Sequence, residues 1–156
     1  MNAKKELVIP FAVCEPKTYH CTVLGVPCGK GRPRFSTNGG FVRTYTPEKT
    51  ANYETLVRVS WQQQTNGYHF QDEPLRAYLV AYFPFPKSMT KKRRKQLAEQ
   101  GNPYTKKPDN DNIAKAVFDA LNNVAYIDDS QVVSIEIVKL YDEIPRLEIE
   151  LKGWCE

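Results

Sequence analysis

Residues 106–133 read KKPDNDNIAKAVFDALNNVAYIDDSQVV, and this stretch sets the fold class. From Asp111 to Leu121, the apolar residues Ile113, Ala116, Val117, Ala120 and Leu121 recur at steps of three and four, which predicts a helix with one buried stripe. Asn122-Asn123 reads as a turn, and residues 131–141 (QVVSIEIVKLY) are rich in β-branched side chains and predict a strand. A helix returning through a short turn into a strand is the signature of a layered α/β domain.

Working outward, residues 146–151 (RLEIEL) alternate strictly and predict a last strand. Upstream, residues 75–83 place Leu75, Ala77, Leu79, Ala81 and Phe83 on one face of a strand that Pro84 and Pro86 stop. Thr90 to Gln100 predicts a short, very basic helix closed by Gly101. An earlier helix is expected from Thr46 as N-cap and Pro47 as first residue, with Tyr53, Leu56, Val57, Ser60, Trp61 and Gln64 on one face and Asn66-Gly67 at its end. Residues 20–26 read as a strand, and 27–40 (PCGKGRPRFSTNGG) as a loop. Residues 41–45 are expected to pair back across Asn38-Gly39-Gly40. The expectation is an α/β domain of the α+β type: one compact unit, a mixed sheet with many antiparallel hairpins, and about three helices. Its bounds are 20–152, after an N-terminal extension of 1–19 and before a tail of 153–156.

A chain of 156 residues suits a single core. No apolar run is long enough to cross a membrane, and the N-terminus lacks the apolar core and cleavage site of a signal peptide, so a cytoplasmic protein is expected. Cys14, Cys21, Cys28 and Cys155 have neither metal-ligand spacing nor suitable histidine partners, and are expected to be reduced thiols rather than a zinc site.

The net charge of +4 is unevenly distributed. Residues 87–107 carry Lys87, Lys91, Lys92, Arg93, Arg94, Lys95, Lys106 and Lys107 against Glu99 alone. Residues 109–129 carry Asp109, Asp111, Asp119, Asp128 and Asp129 against Lys115 alone. Basic side chains attract a polyanion, whereas clustered carboxylates repel it unless a cation lies between. Asp109 and Asp111, two apart in an extended approach and so about 7 Å apart at the backbone, can share a hard cation such as Mg²⁺. If the strand after Asp128-Asp129 packs beside the helix, that second pair is expected to return to the first. Lys115 lies one turn beyond Asp111 and could neutralise a scissile phosphate. Spacing alone leaves other readings open: Asp as a helix cap, Asp128-Asp129 as turn residues, and Lys115 as a solvated partner of Asp111 or Asp119. An EF-hand loop starting at Asp109 is excluded, because Ala114 and Ala120 occupy its glycine and glutamate positions.

The ordered set Lys107-Pro108-Asp109-Asn110-Asp111-Asn112, Lys115, Asp119-Ala120-Leu121-Asn122 and Asp128-Asp129-Ser130-Gln131-Val132 resembles the RusA family of Holliday-junction resolvases. Pro27, Gly29 to Arg34 and Tyr45-Thr46-Pro47 resemble its GKxRPR and YTP-type elements, and the similarity extends over about residues 20–152. The resemblance implies that Asp109, Asp111 and Asp129 are essential metal-binding carboxylates. Lys115 matches the catalytic lysine, and Asp128 a neighbouring acidic position that could add a ligand. It further implies a homodimer, which suits the two symmetric scissile strands of a four-way junction. The function expected is a Mg²⁺-dependent endodeoxyribonuclease, with Mn²⁺ as a substitute, resolving junction DNA by paired nicks in recombination and repair. The alternatives are a structure-selective nuclease for flaps or forks, a junction-binding module without catalysis, and a zinc-dependent regulator.

Two segments are candidate DNA contacts: Lys91, Lys92, Arg93, Arg94 and Lys95, and the loop with Lys30, Arg32 and Arg34, joined by Lys107. A solvated helix face and a plain hairpin loop are the simpler readings. Phe35, Tyr45, Tyr104 and Tyr126 either stack on exposed bases or pack in the core or at a dimer interface.

Overall fold

The computed structural model describes residues 15–154. In chain order the elements are β1 (Thr18–Leu24), β2 (Arg34–Asn38), β3 (Phe41–Tyr45), α1 (Glu48–Gln64), β4 (Leu75–Pro84), α2 (Lys91–Glu99), α3 (Asn110–Leu121), β5 (Val132–Asp142) and β6 (Arg146–Gly153). A 3₁₀ turn at Asp129–Gln131 leads into β5. The mixed sheet runs β1-β6-β4-β5, while β2 and β3 form a separate two-stranded hairpin. The α+β class, the mixed sheet and the three helices expected from sequence are therefore present among the described residues.

Alternation along β4 and β6 turns Leu75, Ala77, Leu79, Ala81 and Phe83, with Leu147, Ile149 and Leu151, onto one buried face. Helices α1 and α3 cover that face and pack on each other, with Val57, Trp61, Ile113, Val117 and Leu121 fully buried between the layers. The indole of Trp61 donates to the Tyr68 carbonyl at 2.9 Å, so its one polar group is satisfied inside the core.

Strand connectivity departs from the hairpin expectation. β5 and β6, adjacent in sequence, do not pair; β4 lies between them, parallel to β5 and antiparallel to β6. The tight β2–β3 hairpin turns at Gly39-Gly40 as expected, but β2 begins inside the segment read as loop. β1 begins at Thr18, two residues before the expected strand and inside the expected extension, because its register against β6 runs from Thr18↔Lys152 to Leu24↔Arg146. Gly25, with φ of +106°, then turns the chain away. Residues 1–14 of the extension, 155–156 of the tail, and the thiols of Cys14 and Cys155 lie outside the described residues.

Two local expectations are corrected. The N-cap of α1 is Pro47 rather than Thr46, and the Pro47 carbonyl accepts from Thr50 and Ala51. Proline lacks an N–H, so it can stand at the cap position without loss. Leu56 is exposed, because the buried stripe of α1 runs through Thr50, Tyr53, Val57, Ser60 and Trp61. No helix among the described residues is long and apolar enough to cross a membrane.

Cys21 and Cys28 are free thiols. Burial pushes the Cys21 thiol up to about 12, so its reactive thiolate is scarce at neutral pH. We expect iodoacetamide to leave Cys21 unmodified in the folded protein and to label it after denaturation. Rapid labelling under native conditions, read by peptide mass, would place this thiol outside the core.

Candidate active site

Asp109 occupies the N-cap position of α3, yet its side chain makes no capping hydrogen bond. Only its carbonyl serves the helix, accepting from Ile113 at 3.1 Å. The carboxylate instead accepts from the Lys107 ammonium at 2.7 Å, and that contact, with Lys139 nearby, holds it below the usual carboxylate range. Lys139 fixes the approach to the helix by donating to the carbonyls of Lys106 (2.8 Å) and Pro108 (2.9 Å). Asp111 follows in the first turn and Lys115 one turn later, both exposed. Neither makes an ion pair among the described residues.

The second acidic pair divides its roles. Asp128 caps the 3₁₀ turn, accepting from the Ser130 N–H and from the Ser130 hydroxyl. Gln131 completes this box by accepting from the N–H groups of Ile127 (2.9 Å) and Asp128 (3.1 Å), and it donates to the carbonyls of Gln71 and Glu73. Asp129 is exposed, with no ion pair or side-chain hydrogen bond among the described residues. The turn-residue reading thus fits Asp128 and leaves Asp129 free.

The two pairs do not meet within one chain. The Tyr126 hydroxyl donates to the Phe118 carbonyl in the last turn of α3, and burial raises its pKa, with the charges of Asp129, Asp119 and Asp128 adding to the shift. Asp129 therefore lies toward the C-terminal end of α3, whereas Asp109 caps the N-terminal end about 20 Å away along the axis. β5 confirms the spacing: Lys139, which anchors Pro108, stands seven residues or about 23 Å from Val132. A strand entering antiparallel to the preceding helix starts at that helix's C-terminal end. The expected return of Asp128-Asp129 to Asp109-Asp111 overlooked this constraint. Among the described residues, no three carboxylate, imidazole or thiol groups gather as a metal centre.

Lys30 was expected to face DNA, but its ammonium is bound into the fold. It pairs with Glu54 of α1 and with Asp119 of α3, the latter at 2.8 Å. Its backbone N–H donates to the Asn112 carbonyl at 2.8 Å, and the next N–H, of Gly31, donates to the Thr50 hydroxyl at 3.1 Å. These contacts press the loop against both helices. A β-carbon on Gly29 would come within 2.7 Å of the Pro108 β-carbon, and one on Gly31 within 2.9 Å of the Thr50 hydroxyl.

Arg32, Arg34 and Lys107 remain exposed and line an open groove of about 630 Å³ that reaches Pro108 and Asn112. Lys49, in the first turn of α1, joins them, and nothing in its local sequence separates it from an ordinary surface lysine. On α2, Thr90 caps the helix by accepting from the Arg93 N–H. Lys91, Lys92, Arg93 and Lys95 are exposed, whereas Arg94 pairs with Glu143 at 2.8 Å and lies over the Phe85 ring. Of the four aromatics considered, Tyr126 is buried and Tyr104 stacks on Phe83, while Phe35 and Tyr45 are exposed.

The Gly29 contact is testable by Gly29→Ala. Pro108 belongs to the turn that carries Asp109 and has no flexible side chain to swing aside, so a loss of about 1–3 kcal/mol in stability is expected by denaturant titration. Unchanged stability would mean that the loop is not seated on this turn.

A family model, endodeoxyribonuclease RusA, matches residues 25–152. The chain is also similar to the uncharacterized protein YqaN of Bacillus subtilis (strain 168), 39% identical over 134 residues, covering 84% of this chain and 93% of that protein. The match takes in the β1–β2 loop, all three helices and both strands that follow α3, and the chain belongs to the RusA endodeoxyribonuclease family.

Proposed function

We propose that this protein is a metal-dependent endodeoxyribonuclease that resolves four-way DNA junctions as a homodimer. One observation carries the reading. At the motif positions, Asp111, Lys115 and Asp129 are exposed and without ion-pair partners among the described residues, whereas their neighbours Asp119 and Asp128 are bound into the fold. Side chains kept free beside others that are engaged are available for a ligand.

The donor set is all carboxylate, which suits Mg²⁺, with Mn²⁺ as a substitute. When bound, such an ion supplies Lewis-acid stabilisation of the phosphate and a more acidic water. Asp109, kept ionised by Lys107, and Asp111 would hold it from one end of α3, and Asp129 from the other. Lys115 carries its charge one turn from Asp111, where it would stabilise the charge developing on the leaving oxygen. The exposed cations of α2 would hold phosphates, and Arg32, Arg34 and Lys107 would guide a strand toward Asp109.

The separation of the two carboxylate ends supports the second subunit as part of the proposal. A two-fold dimer can set the Asp109-Asp111 end of one α3 beside the Asp129 end of the other, giving two sites related like the two scissile strands. The outer edge of β5 offers a place to dock. Residues 102–104 cover it only near Lys139 and Tyr141, and Val133 and Ile135 are 57% and 48% exposed.

The test is cleavage of a synthetic four-way junction, with flap, fork and linear duplex as controls, with and without Mg²⁺. Asp109→Asn, Asp111→Asn and Asp129→Asn should each bind the junction and fail to cut it. Lys115→Ala should bind and cut roughly 100- to 1000-fold more slowly. Near-normal cutting by any of the three aspartate variants would remove that residue from the site. Equal cutting of flaps and forks would make the protein a general structure-selective nuclease.

A further inference from the structure

The β2–β3 hairpin packs mainly on itself and keeps its large apolar side chains in solvent. Its register separates two faces. Directly paired residues share a face, so Arg34 and Tyr45, then Ser36 and Arg43, lie together with Phe41 at the tip. The opposite face carries Phe35, Thr44, Thr37 and Val42. Along β3 the first face therefore presents Phe41, Arg43 and Tyr45 in a row at i, i+2 and i+4, about 6.6 Å apart. Phe41 is 77% and Tyr45 48% exposed, and a shallow depression formed by Ser36, Gly39, Phe41 and Arg43 opens on this face.

Two further observations narrow the partner. Segment 29–47 contains Lys30, Arg32, Arg34 and Arg43 and no acidic residue. At the base of the same face, Arg34 is also a wall of the groove that continues through Arg32, Lys49 and Lys107 to Asn112, beside the Asp109 end of α3. A row of aromatic, cation and aromatic, opening into a cationic groove, matches a chain of alternating bases and phosphates. A second copy laid on this face by a two-fold axis would set arginine against arginine.

We propose that this face of the hairpin is a platform for unpaired DNA. Bases stack on Phe41 and Tyr45, Arg43 and Arg34 take the phosphates between them, and the strand continues along the groove toward Asp109. The proposal rests on the DNA-cutting reading of the carboxylates, but its test reads binding rather than cleavage. Single strands and four-way junctions carrying 2-aminopurine at unpaired or branch-point positions would be titrated with the full-length protein. Stacking should quench the probe. Phe41→Ala and Tyr45→Ala should each lose quenching and weaken single-strand affinity roughly tenfold, with linear duplex changed by less than about twofold. Phe41→Tyr should restore both, and Phe35→Ala, on the other face, should change neither.

Wild-type binding by Phe41→Ala and Tyr45→Ala overturns the platform, as does an equal loss in Phe35→Ala. So does a shift in subunit assembly by light scattering in Phe41→Ala, which would make the hairpin a subunit contact. Wild-type protein that cuts the junction while these variants bind normally refutes the platform alone. Wild-type protein that quenches as expected but never cuts refutes the nuclease reading alone.

Discussion

The Lys30 ammonium, shared between Glu54 and Asp119, is the contact on which the rest of the site depends. It joins the β1–β2 loop to α1 and α3 at a partly buried position. Burial alone would lower the lysine pKa, but the two carboxylates outweigh it and the net shift is upward. Removing one member of such a group leaves a desolvated charge without its partner, which costs more than the intact group contributes. The backbone bonds from Lys30 and Gly31, and the close approach of Gly29 to Pro108, complete the clamp.

That clamp has two consequences for chemistry. It removes Asp119 from the set of free carboxylates, so the charge left along α3 is that of Asp109, Asp111 and Lys115. It also places the basic loop against the start of α3, so that the groove walled by Arg32 and Arg34 ends beside Asp109 rather than elsewhere on the surface. The carboxylates themselves sit where few apolar contacts compete for them, at a helix start and in a short turn before β5. The separation of these two ends is set by the length of α3. A second α3 is the simplest source of the missing ligand in the proposed dimer.

Periodicity made α3, β4 and β6 legible, because one buried face repeats along each. Asn66-Gly67 was readable as a helix end because that signal is local, whereas Thr90, read as part of the basic helix, is its cap. Pairing was not: β4 slips between β5 and β6, and nothing within either strand specifies that neighbour. At the site, the motif identified the carboxylates, but spacing could not say which were free. Asp128 and Asp129 are adjacent and identical, and only the box with Ser130 and Gln131 tells them apart. Lys30 likewise read as one more cation, because its partners lie 24 and 89 residues away in the chain. The row Phe41, Arg43, Tyr45 was hidden because hairpin faces become visible only once the register is known.

In the proposed dimer, carboxylates from both ends of α3 act together. The most direct measurement mixes two inactive subunits, Asp111→Asn and Asp129→Asn, and assays a cruciform plasmid. If each site combines the Asp111 end of one chain with the Asp129 end of the other, a mixed dimer holds one intact site and one doubly damaged site. The mixture should then convert supercoiled plasmid to nicked circle in Mg²⁺, although neither variant does so alone. A mixture as inert as its components would contradict the shared site and place all the ligands within a single chain.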